Sequence, residues 1–155
     1  MRISSLDKTD RRILRLLQTD GRMSNADLAE AVNLSPSSCL RRVRRLEDEQ
    51  VIDRYVMLIN PAAIGRPTSI FVEISLKSQS QESLQAFEVA VSACPDVMEC
   101  YLMAGDSDYM LRVEVADAAD YERIHTTILS RLPGVARIRS SFTLRTVCKR
   151  IVYEL

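Results

Sequence analysis

Residues 24–53 read SNADLAEAVNLSPSSCLRRVRRLEDEQVID, and the punctuation in this stretch decides how the chain folds. Ser24 precedes a short run in which Asp27, Leu28, Ala31 and Val32 recur at helical spacing, and its hydroxyl can accept from a first-turn N–H. Asn33 and Leu34 end that helix. Ser35 then offers a second N-cap. Pro36 takes the first helical position, where its missing N–H costs nothing and its fixed φ suits the turn. The stretch predicts two short helices, a tight turn between them, and a strand opening near Asp53.

The second helix carries two faces. Leu40, Val43 and Leu46 recur at helical spacing and are expected inward, with Cys39 beside them. Ser38, Arg41, Arg42 and Arg45 fall at i, i+3, i+4 and i+7 on the other side. Between Ser35 and Arg45 there are four arginines and no acid, and then Glu47, Asp48 and Glu49 reverse the sign. A helix built only for solubility would more often interleave the signs to gain i,i+4 pairs. On charge alone, a solvated basic face accounts for this stripe as well as a binding face does. The spacing of a helix-turn-helix favours double-stranded DNA: small Ser37 and Ser38 allow close approach to the major groove, and arginines reach guanine edges or phosphates. The expected DNA contacts are Ser24, Asn25, Ser35, Ser37, Ser38, Arg41, Arg42, Arg45 and Arg54, with base reading and phosphate contact both open for Arg42.

Upstream, residues 6–20 predict a first helix whose Leu6, Ile13, Leu16 and Leu17 are buried, whose opening turn holds Asp7, and which ends at a left-handed Gly21. Together with the pair above it makes a three-helix unit. Downstream, VIDRYVMLIN (51–60) is rich in β-branched residues and predicts an extended connecting strand. Pro61, Gly65 and Pro67 mark a linker. The expected domains are therefore 1–60, a helix-turn-helix (winged) domain with its connecting strand, a linker at 61–67, and a second domain over 68–155.

In that second domain TSIFVEISLKS alternates Ile70, Val72, Ile74 and Leu76 with polar or exposed positions. A helix follows with Leu84, Phe87, Val91 and Cys94 on one side. VMECYLMAG and YMLRVEVA predict a hairpin around Gly105–Asp108, DAADYERIHTTILSRL a helix, and VARIRSSFTLRTV a last strand. The order βαββαβ is a ferredoxin-like split βαβ, an αβ-sandwich that makes the whole chain α+β. Helices would cover one sheet face and leave the other for a second subunit.

Composition agrees with a globular protein: 155 residues, 46% hydrophobic and 27% charged, with formal net charge zero. Residues 1–60 hold 11 Lys+Arg against 9 Asp+Glu and residues 61–155 hold 10 against 12, a bias too small for binding nucleic acid by general attraction alone. No apolar run is long enough to cross a bilayer and the N-terminus lacks a signal-peptide core, so the expectation is cytoplasmic, with no membrane partner. Cys39, Cys94, Cys100 and Cys148 form no CxxC pair and are expected as reduced, buried thiols. His125 stands alone, so no metal, cofactor or catalytic residue is expected.

The chain resembles the Lrp/AsnC family, the leucine-responsive and asparagine-responsive transcription regulators. The resemblance rests on LDKTDRRILRLLQTDGRMSNADLA, LSPSSCLRRVRRLE, YLMAGDSDYMLRV and LPGV, in that order, and spans essentially the whole chain. It implies a homodimer that assembles to a tetramer or octamer and binds an amino-acid effector. The effector turn would comprise Leu102, Met103, Ala104, Gly105, Asp106, Asp108 and Tyr109, completed by Arg139, Ser140, Ser141 and Thr143 from an adjoining subunit. Turn N–H groups could receive a carboxylate and Asp108 an α-ammonium, although Gly105, Asp106 and Asp108 also suit an ordinary hairpin turn. The alternative that the family permits is an architectural DNA-binding protein indifferent to metabolites. The family often has bulkier residues at Ser140 and Ser141 and a proline at Ser38.

Overall fold

The computed structural model describes residues 6–155; residues 1–5, counted above in the first domain, lie outside the described residues. The chain forms two compact units, one running to Leu58 and taking back Val147–Leu155, the other spanning Ile59–Thr146. The sequence assigned those last nine residues to the second domain.

In the first unit, α1 (Lys8–Thr19) is capped by Asp7, which accepts from the Asp10 N–H while the Asp10 side chain accepts from the Asp7 N–H. This capping box satisfies two of the donors that a helix start leaves unpaired. Helices α2 (Asn25–Ala31) and α3 (Pro36–Asp48) start where expected, at Ser24 and Ser35. Their ends share one device. Asn33 and Gln50 adopt left-handed φ of 56° and 57°. Leu34 N–H reaches back to Ala29 O at 2.9 Å, and Val51 N–H to Leu46 O at 2.8 Å. Both are Schellman closures on residues other than glycine. Gly21, expected to be left-handed, is not; α1 ends through an extended Asp20 at φ −138°.

The core of this unit joins Leu6, Ile13 and Leu14 to Leu28, Ala29 and Val32 of α2 and to Cys39 and Leu46 of α3. Here the inward stripe of α3 differs from the expectation, because Cys39 is fully buried while Leu40 is 38% exposed. Val43 and Leu46 face the core as expected, so only Leu40 leaves the inward stripe and Cys39 takes its place. The physical reason is Asp10, whose buried carboxylate draws Arg42 and Arg45 to the α1 side. Residues 51–60 were expected as a strand but make no strand pairing within the described residues, leaving Val56, Met57, Leu58 and Ile59 exposed.

The C-terminal residues close the first unit. The Gln18 side chain accepts from Tyr153 N–H at 2.7 Å and donates to Tyr153 O at 3.2 Å, and Leu155 packs against the core. With Leu14, Leu17, Ile52 and Tyr55, the tail lines an open groove of about 380 Å³.

The second unit is a four-stranded antiparallel sheet in the order β2-β3-β1-β4. Its elements are β1 (Thr68–Leu76), α4 (Gln81–Ser92), β2 (Val97–Leu102), β3 (Tyr109–Val115), α5 (Ala118–Thr127) and β4 (Val135–Phe142). The order is that of the ferredoxin-like fold. Ile70, Val72 and Ile74 of β1 and Tyr109, Leu111, Val113 and Val115 of β3 bury one face with Phe87, Val91, Tyr121, Ile124 and Leu129 of the helical layer. The opposite face carries Phe71 and two ionic groups. Arg112 bonds both Glu99, at 2.5 Å, and Glu114, while Arg139 lies 3.4 Å from Glu73. The thiols divide: Cys39 is buried and Cys94 half-buried, but Cys100 and Cys148 are exposed, against the expectation of four buried thiols. Among the described residues no helix is long and apolar enough to cross a membrane.

Candidate nucleic-acid interface and effector turn

Helix α3 is presented by the contacts at its start. Ser35 caps it by accepting from Ser38 N–H at 3.3 Å, and its hydroxyl donates to Ser38 Oγ at 2.9 Å and lies 3.2 Å from Ser37 Oγ. Ser24 caps α2, accepting from Asp27 N–H and donating to Asp27 Oδ2 at 2.6 Å. Asn25, expected on DNA, donates to the Pro36 carbonyl at 2.9 Å. That bond spans the turn, so Asn25 fixes α2 against the first residue of α3.

Two of the expected DNA-binding arginines are committed elsewhere. Arg42 Nη1 lies 2.6 Å from Asp7 Oδ2 and 2.8 Å from Asp10 Oδ1, and Arg45 Nη2 lies 2.5 Å from Asp10 Oδ2. Asp10 is fully buried, and a buried carboxylate must be paired. Arg42 was expected on DNA; in the free chain its guanidinium ties α3 to α1. The bonds to Asp7 and then Asp10 raise the Arg42 pKa. The Asp10 N–H and then Arg42 hold the Asp7 carboxyl below its ordinary value.

The outward face of α3 instead presents Ser37, Leu40, Arg41, Arg44, the exposed edge of Arg45, and Asp48 around a shallow concavity of about 400 Å³. Arg41 and Arg44 are exposed and have no carboxylate partner among the described residues. Arg44 was not among the expected contacts. A helical wheel started from Cys39 in place of Leu40 would have found it. Arg54 is exposed and 3.2 Å from the equally exposed Asp53, a weak pairing.

The expected effector residues separate into two groups. Leu102, Met103, Ala104, Gly105 and Asp106 lie exposed at the β2–β3 turn, which Met103 N–H closes onto Asp108 O at 2.8 Å. Space above Gly105 is open. Arg139, Ser140, Ser141 and Thr143 belong to β4 or follow it. Strands β2 and β4 are the two opposite edges of the sheet, so one chain does not bring the groups together.

Four of these side chains already have partners. Asp108 accepts from Leu76 N–H and from Gln79 Nε2, each at 2.7 Å, so both oxygens are used in anchoring the turn to the end of β1. Tyr109 is core, not surface. Its hydroxyl donates to Glu88 Oε1 at 2.8 Å, its ring lies 4.4 Å from that of Phe87, and burial, then Glu88, push its pKa up. Ser140 bonds Tyr121 on the helix side, and Arg139 faces Glu73. Ser141 is exposed, and Thr143 Oγ1 is buried without a partner among the described residues. Nothing in alternating polarity could have revealed the Asp108 bonds, which join residues far apart in sequence.

Comparison with known proteins bears on both surfaces. A family model described as a winged helix-turn-helix DNA-binding domain matches residues 6–53, and one described as the Lrp/AsnC ligand-binding domain matches residues 69–153. The Bkd operon transcriptional regulator of Pseudomonas aeruginosa is 45% identical over 148 residues, 96% of this chain and 97% of that one. The leucine-responsive regulatory protein of Escherichia coli K12 is 41% identical over 142 residues, 92% of this chain and 87% of that one. Among solved structures, a transcriptional regulator of Neisseria meningitidis in complex with L-Met superposes with a TM-score of 0.91. It is 32% identical, and 97% of each chain is covered.

Proposed function

The chain belongs to the Lrp/AsnC family of transcriptional regulators, and from that premise we propose that α3 reads operator bases through Arg41 and Arg44 while an apolar amino acid, held between copies of the chain, sets the response. The protein is a regulator and not an enzyme. The observation that carries the DNA reading is the pair Arg41 and Arg44, two exposed guanidiniums without carboxylate partners on the outer face of a helix-turn-helix. Guanidinium reads guanine O6 and N7 in the major groove.

The effector is a free amino acid, a reading supported by the relatives named leucine-responsive and by the one crystallised with L-Met. N–H groups of the exposed Ala104–Asp106 turn receive its carboxylate, and Asp106, whose carboxylate has no partner among the described residues, receives its α-ammonium while Asp108 anchors the turn. Arg139, Ser141 and Thr143 of a second copy complete the pocket, because groups on opposite sheet edges meet only between copies. A homodimer, extending to a tetramer or octamer in the cytoplasm, is supported by the exposed Val56–Ile59 run and by the uncovered sheet face around Phe71. The effector shifts assembly or DNA affinity only by the difference in its affinity for the two states.

The test is affinity for a duplex selected from random sequence, against a scrambled one, at fixed salt with each amino acid in turn. Preference for the selected duplex, altered by one or more amino acids, is expected. Equal affinity for both duplexes overturns the DNA reading. A preference that no amino acid changes leaves the architectural protein.

A further inference from the structure

Leu40 has no explanation in the core. It lies one step from the fully buried Cys39, is 38% exposed, and lines the concavity together with Ser37, Arg41 and Arg44. An apolar side chain among cations costs solubility on a surface that meets only water. It has one chemically matched partner in the major groove, the C5-methyl group of thymine, the only apolar feature that a base pair shows there. We propose that Leu40 is a specificity-determining residue that packs against a thymine methyl, so that each half-site carries a thymine adjacent to the guanines read by Arg41 and Arg44.

The inference rests on the DNA reading above and refines it. Ser37, one turn before Leu40, is small enough to let the helix approach closely, and Arg41 and Arg44 follow Leu40 at i+1 and i+4. The apolar contact is thus flanked by hydrogen-bonding groups on one helix face. The side of α3 facing α1 is held by Cys39 and Leu46 in the core and by the Arg42 and Arg45 pairs with Asp10, and Leu40 is outside both.

Deoxyuridine differs from thymidine only by that methyl. In the selected operator, each thymine is replaced singly by deoxyuridine, and the full-length protein is titrated at fixed salt. At one or two thymines per half-site the affinity should fall about fourfold, the worth of burying one methyl-sized group. In Leu40→Ala the same replacements should make no difference, while binding to scrambled duplex stays as in the parent. If Leu40→Ala loses its helical circular dichroism, Leu40→Met, which keeps the apolar surface, must retain the deoxyuridine penalty and Leu40→Gln must lose it. A parent protein indifferent to every replacement overturns the proposal, and so does a Leu40→Ala or Leu40→Gln variant as sensitive as the parent. Failure to select any preferred duplex would sink the DNA reading itself, which is a separate outcome.

Discussion

Replacing Asp10 by asparagine should loosen the recognition helix from its support. The carboxylate accepts from Arg42 at 2.8 Å and from Arg45 at 2.5 Å, and hydrogen bonds to charged groups contribute about 1.5–3 kcal/mol each. Removing one member of a fully buried ion pair costs about 3–5 kcal/mol. Here the two cations remain 30% and 44% exposed, so water recovers part of the loss and Arg42 keeps Asp7. The expected net cost is about 2 kcal/mol. For a unit of this size that lowers the thermal midpoint by about 10 °C, read by far-UV circular dichroism. A double-mutant cycle with Arg45→Ala should return a coupling of about 1 kcal/mol. A midpoint unchanged in Asp10→Asn, or a cycle that closes to zero, would refute the view that these arginines fasten α3 to α1.

Other outcomes follow from the same geometry. Arg44→Ala should lose about 1–3 kcal/mol on the selected operator and much less on a scrambled one, with the thermal midpoint unchanged; equal losses would assign Arg44 to phosphate. Gln50→Gly should stabilise the first unit by about 1 kcal/mol, since a left-handed φ strains any side chain, as chemical denaturation would register. Asp108→Ala should lower the melting temperature of the second unit, because Leu76 N–H and Gln79 lose their acceptor; a variant that loses only its amino-acid response would contradict that assignment. Asp7 has a folded pKa below its ordinary 3.8, so its contribution is complete above that value and is lost as pH falls through the lowered one. The stability gap between parent and Asp7→Asn should accordingly be full at neutral pH and close in acid; a gap constant down to strong acid would exclude the linkage.

Much of this architecture was legible in the chain. Ser24 and Ser35 with Pro36 announce helix starts by local chemistry, and alternation in β1 identifies its buried face without any tertiary information. The exchange of Leu40 for Cys39 on the inward face of α3 was not legible. Cys39, Leu40, Val43 and Leu46 offer two overlapping apolar stripes, and the choice between them is made by Asp10, some thirty residues earlier, which no local pattern connects to Arg42. The anchoring role of Asp108 was hidden for a similar reason: its side chain suits a ligand and a turn equally, and its donors, Leu76 N–H and the Gln79 side chain, lie far back in the sequence. The missing strand at 51–60 has a different cause. Its β-branched residues have the right propensity, but a strand needs a neighbour, and the chain supplies none there among the described residues.

Because Val147–Leu155 supplies a wall of the first unit, order of synthesis and order of completion run opposite ways. Residues of the helices up to Asp48 must wait for residues 147–155 before that side of their unit is complete, although chains generally fold from the N-terminal side as they are made. A chain interrupted just before Val147 would therefore injure the unit that was translated earlier.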